Sequence, residues 1–110
     1  TTPTGRRDGA LLEVMYSAGT RPAETVGLDR GDLDLTRGVA RVRGKGKKER
    51  PAPLGSFAVQ ALGIYMTGAA RPRPARGAQQ AVFLNPRGGR LTTRSVGRIV
   101  SRHVLAEAGR

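Results

Sequence analysis

The chain has 110 residues, the size of one domain, and carries 20 Lys and Arg against 8 Asp and Glu, for a formal net charge of +12. The absence of cysteine and the single histidine exclude a disulfide framework and leave little for a zinc site. No apolar stretch is long enough for a membrane span or a signal peptide. The composition therefore predicts a cytoplasmic protein with no membrane partner.

The charge is divided unevenly along the chain. Residues 1–36 hold four arginines and six acids (4 − 6 = −2), whereas residues 37–110 hold 16 cations and two acids (16 − 2 = +14). This asymmetry predicts a surface in the C-terminal two thirds that faces a polyanion, with nucleic acid as the partner. The alternative is a solubilising coat without a partner.

The first 30 residues predict two helices. A helix over residues 7–17 should end before Gly19, and a short second helix should begin at Pro22 and end near Gly27. The apolar residues at helical spacing, expected on the buried side of the first helix, are Leu11, Leu12, Met15 and Tyr16.

Alternation of polar and apolar residues then predicts three antiparallel strands. Residues 32–35 and 39–43 should pair as a hairpin, and residues 49–54 should add a third strand beyond a turn at residues 44–48. Two prolines in the third strand lack N–H donors, which places that strand at an edge of the sheet.

The remaining residues predict a third helix over residues 56–67, with Ser56 as its N-cap, followed by a loop over residues 68–80 whose glycine and proline breakers allow disorder. A short buried extended segment at residues 82–84 precedes a last helix, which Thr92 or Thr93 should cap and which should end near Ala108. Its buried side should contain Val96, Ile99, Val100 and Val104. The predicted fold is α+β, a small antiparallel three-stranded sheet packed with helices.

Three residues in this cationic chain could carry chemistry: Arg21, Glu24 and Lys45. Neither a nucleophile-elbow motif nor a nucleotide-phosphate loop is present. An arginine can bind a phosphate through two parallel N–H bonds, and a lysine on a turn can donate a proton into a groove. Together they suit phosphoryl transfer on a nucleic-acid backbone.

Two stretches containing these residues resemble conserved boxes of the tyrosine recombinases, the family of phage integrases and Xer-type chromosome resolvases. Residues 18–28 resemble the first box, with the pattern Gly-x-Arg-x-x-Glu-x-x-x-Leu. Residues 42–54 resemble the family's β-turn, with the pattern Gly-Lys-Gly-x-Lys-x-Arg-x-x-Pro-Leu. The 24-residue separation of Arg21 and Lys45 is similar to that of the Xer-like branch. The resemblance extends over nearly the whole chain.

The resemblance implies a role for each of the three residues. Arg21 would bind the scissile phosphate, Lys45 would protonate the leaving 5′ oxygen, and Glu24 would support the site through hydrogen bonds. It implies no metal and no small-molecule cofactor. The residues predicted to bind DNA are Arg41, Arg43, Lys47, Lys48, Arg50, Thr93, Arg94, Arg98 and Arg102.

The family also uses residues that this chain does not match. A His/Lys-x-x-Arg box would begin about where the chain stops, with a later His or Trp and a nucleophilic tyrosine downstream. The single histidine, His103, has Ala106 rather than arginine three residues later. Tyr16 and Tyr65 should pack in the core. We therefore expect residues 1–110 to be a truncated catalytic domain, without the N-terminal core-binding domain and the C-terminal boxes, inactive alone.

The full-length protein would carry out site-specific DNA recombination or integration through a 3′-phosphotyrosine intermediate. Its partners would be double-stranded DNA and further recombinase protomers, and it would act at the nucleoid. The alternative is a non-catalytic nucleic-acid-binding module whose cations only grip phosphates. A recombinase should direct Arg21 and Lys45 at one shared space, which a binding module does not require. The sequence leaves open whether the protein is a Xer-type resolvase or an integrase of a phage or transposon.

Overall fold

The computed structural model describes residues 2–44, 46 and 48–108. Within them it contains four α-helices and one three-stranded antiparallel sheet, which confirms the predicted α+β fold. The elements in chain order are α1 (Pro3–Ala18), α2 (Pro22–Val26), β1 (Leu33–Asp34), β2 (Val39–Arg43), β3 (Glu49–Pro53), α3 (Ser56–Thr67) and α4 (Thr93–Ala108). No helix in these residues is long and apolar enough to cross a bilayer.

Helix α1 begins and ends on local signals. The Thr2 hydroxyl accepts a hydrogen bond from the Gly5 N–H at 2.9 Å. At the other end Gly19 adopts φ 64°, a left-handed conformation that suits glycine, and its N–H donates to the Met15 carbonyl at 3.1 Å. The helix thus starts four residues earlier than the pattern predicts and stops as expected.

The sheet has the order β1-β2-β3, so the proline-containing strand lies at an edge, as predicted. Ala40, Val42 and Ala52 are fully buried on one face and join the core shared with the helices. Arg41 points to the other face, which is exposed. Arg43 pairs with Glu49 at the base of the β2–β3 turn.

The predicted buried segment at residues 82–84 crosses the core. Tyr65, 3% exposed, stacks on Phe83 with ring centroids 6.0 Å apart, and its hydroxyl accepts a hydrogen bond from the Leu84 N–H at 3.1 Å. The core position predicted for Tyr65 is confirmed. The loop over residues 68–80 contacts this segment through Arg71, whose guanidinium donates to the Ala81 and Val82 carbonyls at 2.9 and 2.8 Å.

The predicted core positions of two residues, Tyr16 and Val104, are wrong. Tyr16 is 89% exposed, because the buried side of α1 runs through Ala10, Val14 and Ala18, and Tyr16 lies about 200° around the helix from Val14. Val104 is 56% exposed, because every residue of α4 from position 101 to position 108 is exposed to solvent. The apolar stripe on α4 therefore continues past the part of the helix that packs against the rest of the described protein.

Two helix starts differ slightly from the predictions. Helix α3 has Gly55 rather than Ser56 at its N-cap, without a side-chain hydrogen bond. Helix α4 follows Thr92, whose hydroxyl accepts a hydrogen bond from the Ser95 N–H at 3.2 Å. Of the two candidate caps for α4, Thr92 therefore fills the role.

Candidate active site

The backbone of Arg21 is held from both sides at the start of α2. Its N–H donates to Glu24 Oε1 at 2.8 Å, and its carbonyl accepts from the Thr25 hydroxyl at 2.8 Å. Thr25 is fully buried and shares a 2.8 Å hydrogen bond with the Thr20 hydroxyl. These contacts fix the Cα–Cβ direction of Arg21 while its side chain stays exposed. Among the described residues, the Arg21 guanidinium has no hydrogen-bond or ion-pair partner.

Glu24 connects α2 with the β2–β3 turn. Its side chain is 14% exposed, and Oε1 lies 3.5 Å from Arg50 Nη2 on β3. A Cβ atom placed on Gly44 would lie only 3.4 Å from Glu24 Oε2. The backbone of the turn therefore approaches the carboxylate closely. Gly44 begins the turn and donates its N–H to the Lys48 carbonyl at 2.8 Å. The two conserved-box segments therefore meet at Glu24.

Lys45 and Lys47 lie outside the described residues. The structure thus brings Glu24, which accepts from the Arg21 N–H, next to Gly44, the residue that precedes Lys45 in the chain. A shared space for the Arg21 and Lys45 side chains stays a prediction.

Arg43 lies at the base of the same turn and is surrounded by carboxylates. Its Nη2 contacts Asp32 Oδ1 at 2.7 Å, its Nη1 contacts Asp29 Oδ2 at 3.3 Å, and its Nε contacts Glu49 Oε2 at 3.3 Å. The hydrogen bond to Asp29, followed by the charge of Asp32 and the hydrogen bond to Glu49, raises the pKa of Arg43. Its role as a DNA contact stays a prediction, but all three of its nitrogens already have partners inside the protein.

Asp29 is shared by two guanidiniums. Its Oδ1 accepts from Arg90 Nη2 at 2.5 Å while its Oδ2 faces Arg43. Burial raises the pKa of Asp29, but the hydrogen bonds from Arg90 and Arg43 and the charges of both groups outweigh burial and hold the pKa below its usual 3.8. Asp29 is therefore a carboxylate at neutral pH.

The other cations predicted to bind DNA lie in two places. Arg41 and Lys48 are exposed on the sheet and its turn. Arg94, Arg98 and Arg102 line a groove of about 980 Å³ between α4 and the start of α1, with Thr93 exposed at the beginning of the helix. Arg102 lies 3.6 Å from Asp8, whereas the guanidiniums of Arg94 and Arg98 have no hydrogen-bond or ion-pair partner among the described residues.

Sequence reasoning missed Asp29 and Arg90, which have no motif of their own. The available signal was the charge division itself, because acids of the first 36 residues pair with arginines of the remainder. The cationic excess is thus partly used inside the fold. The described residues contain no cluster of three or more His, Cys, Asp or Glu side chains suited to a metal ion.

The chain is similar in sequence to proteins that share one description. The tyrosine recombinase XerC of Pelotomaculum thermopropionicum is 48% identical over 107 residues, covering 93% of this chain and 35% of its own. The XerC of Pelobacter propionicus is 47% identical over 108 residues, covering 94% of this chain and 34% of its own. This chain therefore spans about a third of the length of these relatives.

Solved structures share the fold. The crystal structure of XerA recombinase matches with a TM-score of 0.81 at 25% identity, over 96% of this chain and 37% of its own. XerH bound to palindromic difH substrate matches with a TM-score of 0.73 at 23% identity, over 96% of this chain and 31% of its own. The phage integrase family model matches residues 1–110, and the chain belongs to that family.

Proposed function

We propose that residues 1–110 are part of the catalytic domain of a Xer-like tyrosine recombinase and supply its phosphate-binding arginine and its general acid. The full-length protein would cleave and rejoin DNA at specific sites, with double-stranded DNA and further protomers as partners, at the bacterial nucleoid. The observation that carries the proposal is the position of Glu24. Its carboxylate accepts from the Arg21 N–H at 2.8 Å and lies against Gly44, the residue that precedes Lys45 in the sequence.

The chemistry assigned to these residues follows from their charges. A tyrosine hydroxyl outside this stretch would attack the scissile phosphorus, form a P–O bond, and displace the 5′ oxygen of the next nucleotide. Arg21 would neutralise non-bridging oxygens as negative charge develops on them. Lys45 would give its proton to the leaving 5′ oxygen. The bond energy stays in the phosphotyrosine, so rejoining requires no external energy source.

The free guanidinium of Arg21 supports a catalytic role over a structural one. Its backbone is fixed by Glu24 and Thr25, yet its side chain is exposed and, within the described residues, unpaired. Arg43 and Arg90 show the opposite condition, since carboxylates already compensate both. A non-catalytic binding module has no need to hold one exposed arginine so rigidly beside the turn.

Replacing Arg21 in the full-length protein tests the proposal against the binding module. Arg21→Ala is expected to lower the rate of target cleavage by about 10²–10³-fold, because one electrostatic contact to the transition state is lost. The affinity for DNA should change far less. The matched control is Arg30→Ala, which removes another exposed arginine of the same charge and should preserve cleavage. Equal losses of affinity in both variants, with no specific loss of cleavage, would support the binding module instead.

A further inference from the structure

The guanidinium of Arg90 binds backbone carbonyls at the C-terminal end of α2. Its Nη1 donates to the Val26 carbonyl at 2.7 Å and to the Leu28 carbonyl at 3.2 Å. Its Nη2 donates to Asp29. The Val26 carbonyl, at the end of α2, has no partner within the helix, so Arg90 satisfies a group that would otherwise need water. The Leu28 carbonyl, just beyond the helix, also accepts from the Val82 N–H at 3.1 Å.

The connection continues from Asp29 to the base of the β2–β3 turn. The second oxygen of Asp29 contacts Arg43 Nη1 at 3.3 Å, and Arg43 is the last residue of β2. Arg43 also contacts Glu49, the first residue of β3, at 3.3 Å. An unbroken set of charged contacts therefore joins the C-terminal end of α2 to both strands that lead into the turn.

We propose that Arg90, Asp29 and Arg43 form a latch that sets the orientation of α2 relative to the turn, and so positions Arg21. This inference rests on the proposed function, because its consequence is the geometry of the phosphate site. Arg90 and Asp29 are positioning residues in this account, since they act through α2 and the turn.

The length of α2 explains why a latch is needed. The helix has five residues, too few to be stable or stiff by its own hydrogen bonds. Glu24, the third of its five residues, attaches it to β3 and the turn, and the latch attaches its C-terminal end. The buried Thr25 adds a hydrogen bond to Thr20. Without the latch the C-terminal end of the helix would lose its charged contacts, so the helix could pivot about Glu24 and Thr25 and move Arg21. A shift of about 1 Å in such a group can cost 10²-fold in rate.

Spin labels can measure this geometry, because the chain has no native cysteine. One labelled pair, Ala23→Cys with Lys48→Cys, spans α2 and the turn at two exposed positions. A reference pair, Tyr16→Cys with Gln60→Cys, spans α1 and α3 away from the latch. Electron paramagnetic resonance then gives the distance distribution of each pair with and without Arg90→Ala. Arg76→Ala, which removes an exposed loop arginine, is the matched control.

The latch predicts a broader distribution between α2 and the turn in Arg90→Ala, an unchanged reference pair, and no change of either pair in Arg76→Ala. An unchanged distribution across the latch would overturn the inference. Equal broadening of both pairs would also overturn it, since that result indicates general loosening. If Arg90→Ala does not fold, Arg90→Lys decides by the same criteria, because a lysine retains the charge without the fork.

A second measurement separates this inference from the proposed function. In the full-length protein, Arg90→Lys should slow DNA cleavage by about ten- to a hundred-fold while the affinity for DNA stays the same. If the native protein cleaves no DNA, the proposed function fails and the label distances still decide the latch. If the native protein cleaves DNA and Arg90→Lys cleaves at the native rate, the latch is overturned while the proposed function stands.

Discussion

At the scale of single residues, the carboxylates of this protein organise arginines of two kinds. Glu24 supports the backbone of Arg21 and leaves its guanidinium without a partner among the residues that the structure describes. Asp29 instead binds two guanidiniums directly, one on each oxygen. The first arrangement presents a cation to a ligand, and the second uses cations to hold the fold. The exposure of an arginine in this chain therefore does not by itself indicate a ligand-binding role, and its partners within the protein have to be known as well.

The lowered pKa of Asp29 predicts how stability depends on pH. Because the folded protein holds this pKa below the ordinary 3.8, the ionised form stabilises the fold fully above about pH 4. This stabilisation is lost as the pH falls through the folded pKa. Asp29→Asn should lower the free energy of unfolding by about 1.5–3 kcal/mol at pH 6, the range of hydrogen bonds to charged groups.

Urea unfolding of both proteins between pH 7 and pH 3 measures the difference. The gap between native protein and Asp29→Asn should shrink toward the acid end. Asp34→Asn is the control, since that half-exposed carboxylate has only Arg37 as its partner among the described residues, through a 3.8 Å ion pair and a 3.1 Å hydrogen bond from the Arg37 N–H. A gap for Asp29→Asn that stays constant over the whole range would show that Asp29 titrates alike in the folded and unfolded states.

At the scale of elements, α4 combines an internal and an external role. Its first two turns bury Val96 and Ile99 in the core. Its arginines at positions 94, 98 and 102 recur every four residues and line the groove beside α1. Arg94 and Arg98 lie on the packed first half of the helix, and Arg102 lies on its exposed second half. We expect this positive ridge to neutralise phosphates along a duplex.

Replacing two arginines of this ridge should alter the salt dependence of DNA binding. The Arg94→Gln, Arg98→Gln variant is expected to reduce the slope of log affinity against log salt by about two, one for each lost phosphate contact. The control is the Arg73→Gln, Arg76→Gln variant, which makes the same change of net charge in the loop over residues 68–80. Titration of duplex DNA at several salt concentrations gives both slopes. Equal reductions would mean that total charge, rather than the α4 ridge, determines binding.

At the scale of the whole molecule, sequence predicted the elements well because their signals are local. Proline at the start of α2, glycine after α1 and alternation in the strands each act within a few residues. The edge position of β3 follows from the same kind of signal. The errors at Tyr16 and Val104 have another cause. Both lie on apolar faces by pattern, but only the packing of distant elements determines how far such a face is covered.

For the candidate site too, the sequence indicated the residues that belong to local patterns but not the contacts that depend on the tertiary fold. The spacing of Arg21, Glu24 and Lys45 identifies the family's boxes, whereas the contact of Glu24 with Gly44 depends on the tertiary fold. The partners of Arg90 are more than 60 residues away in the chain, so no local pattern could indicate them. Part of the positive charge that was predicted to face DNA is therefore compensated by carboxylates inside the protein.

The most direct test of the central claim, that Arg21 and Lys45 have separate roles on one phosphate, uses DNA whose leaving 5′ oxygen is replaced by sulfur. A thiolate leaves without a proton, so the general acid becomes dispensable. In the full-length protein, Lys45→Ala should cleave ordinary DNA poorly and the sulfur-containing DNA at nearly the native rate. Arg21→Ala should cleave both poorly, because its role is charge stabilisation. Rescue of both variants, or of neither, would contradict the roles assigned to these two residues.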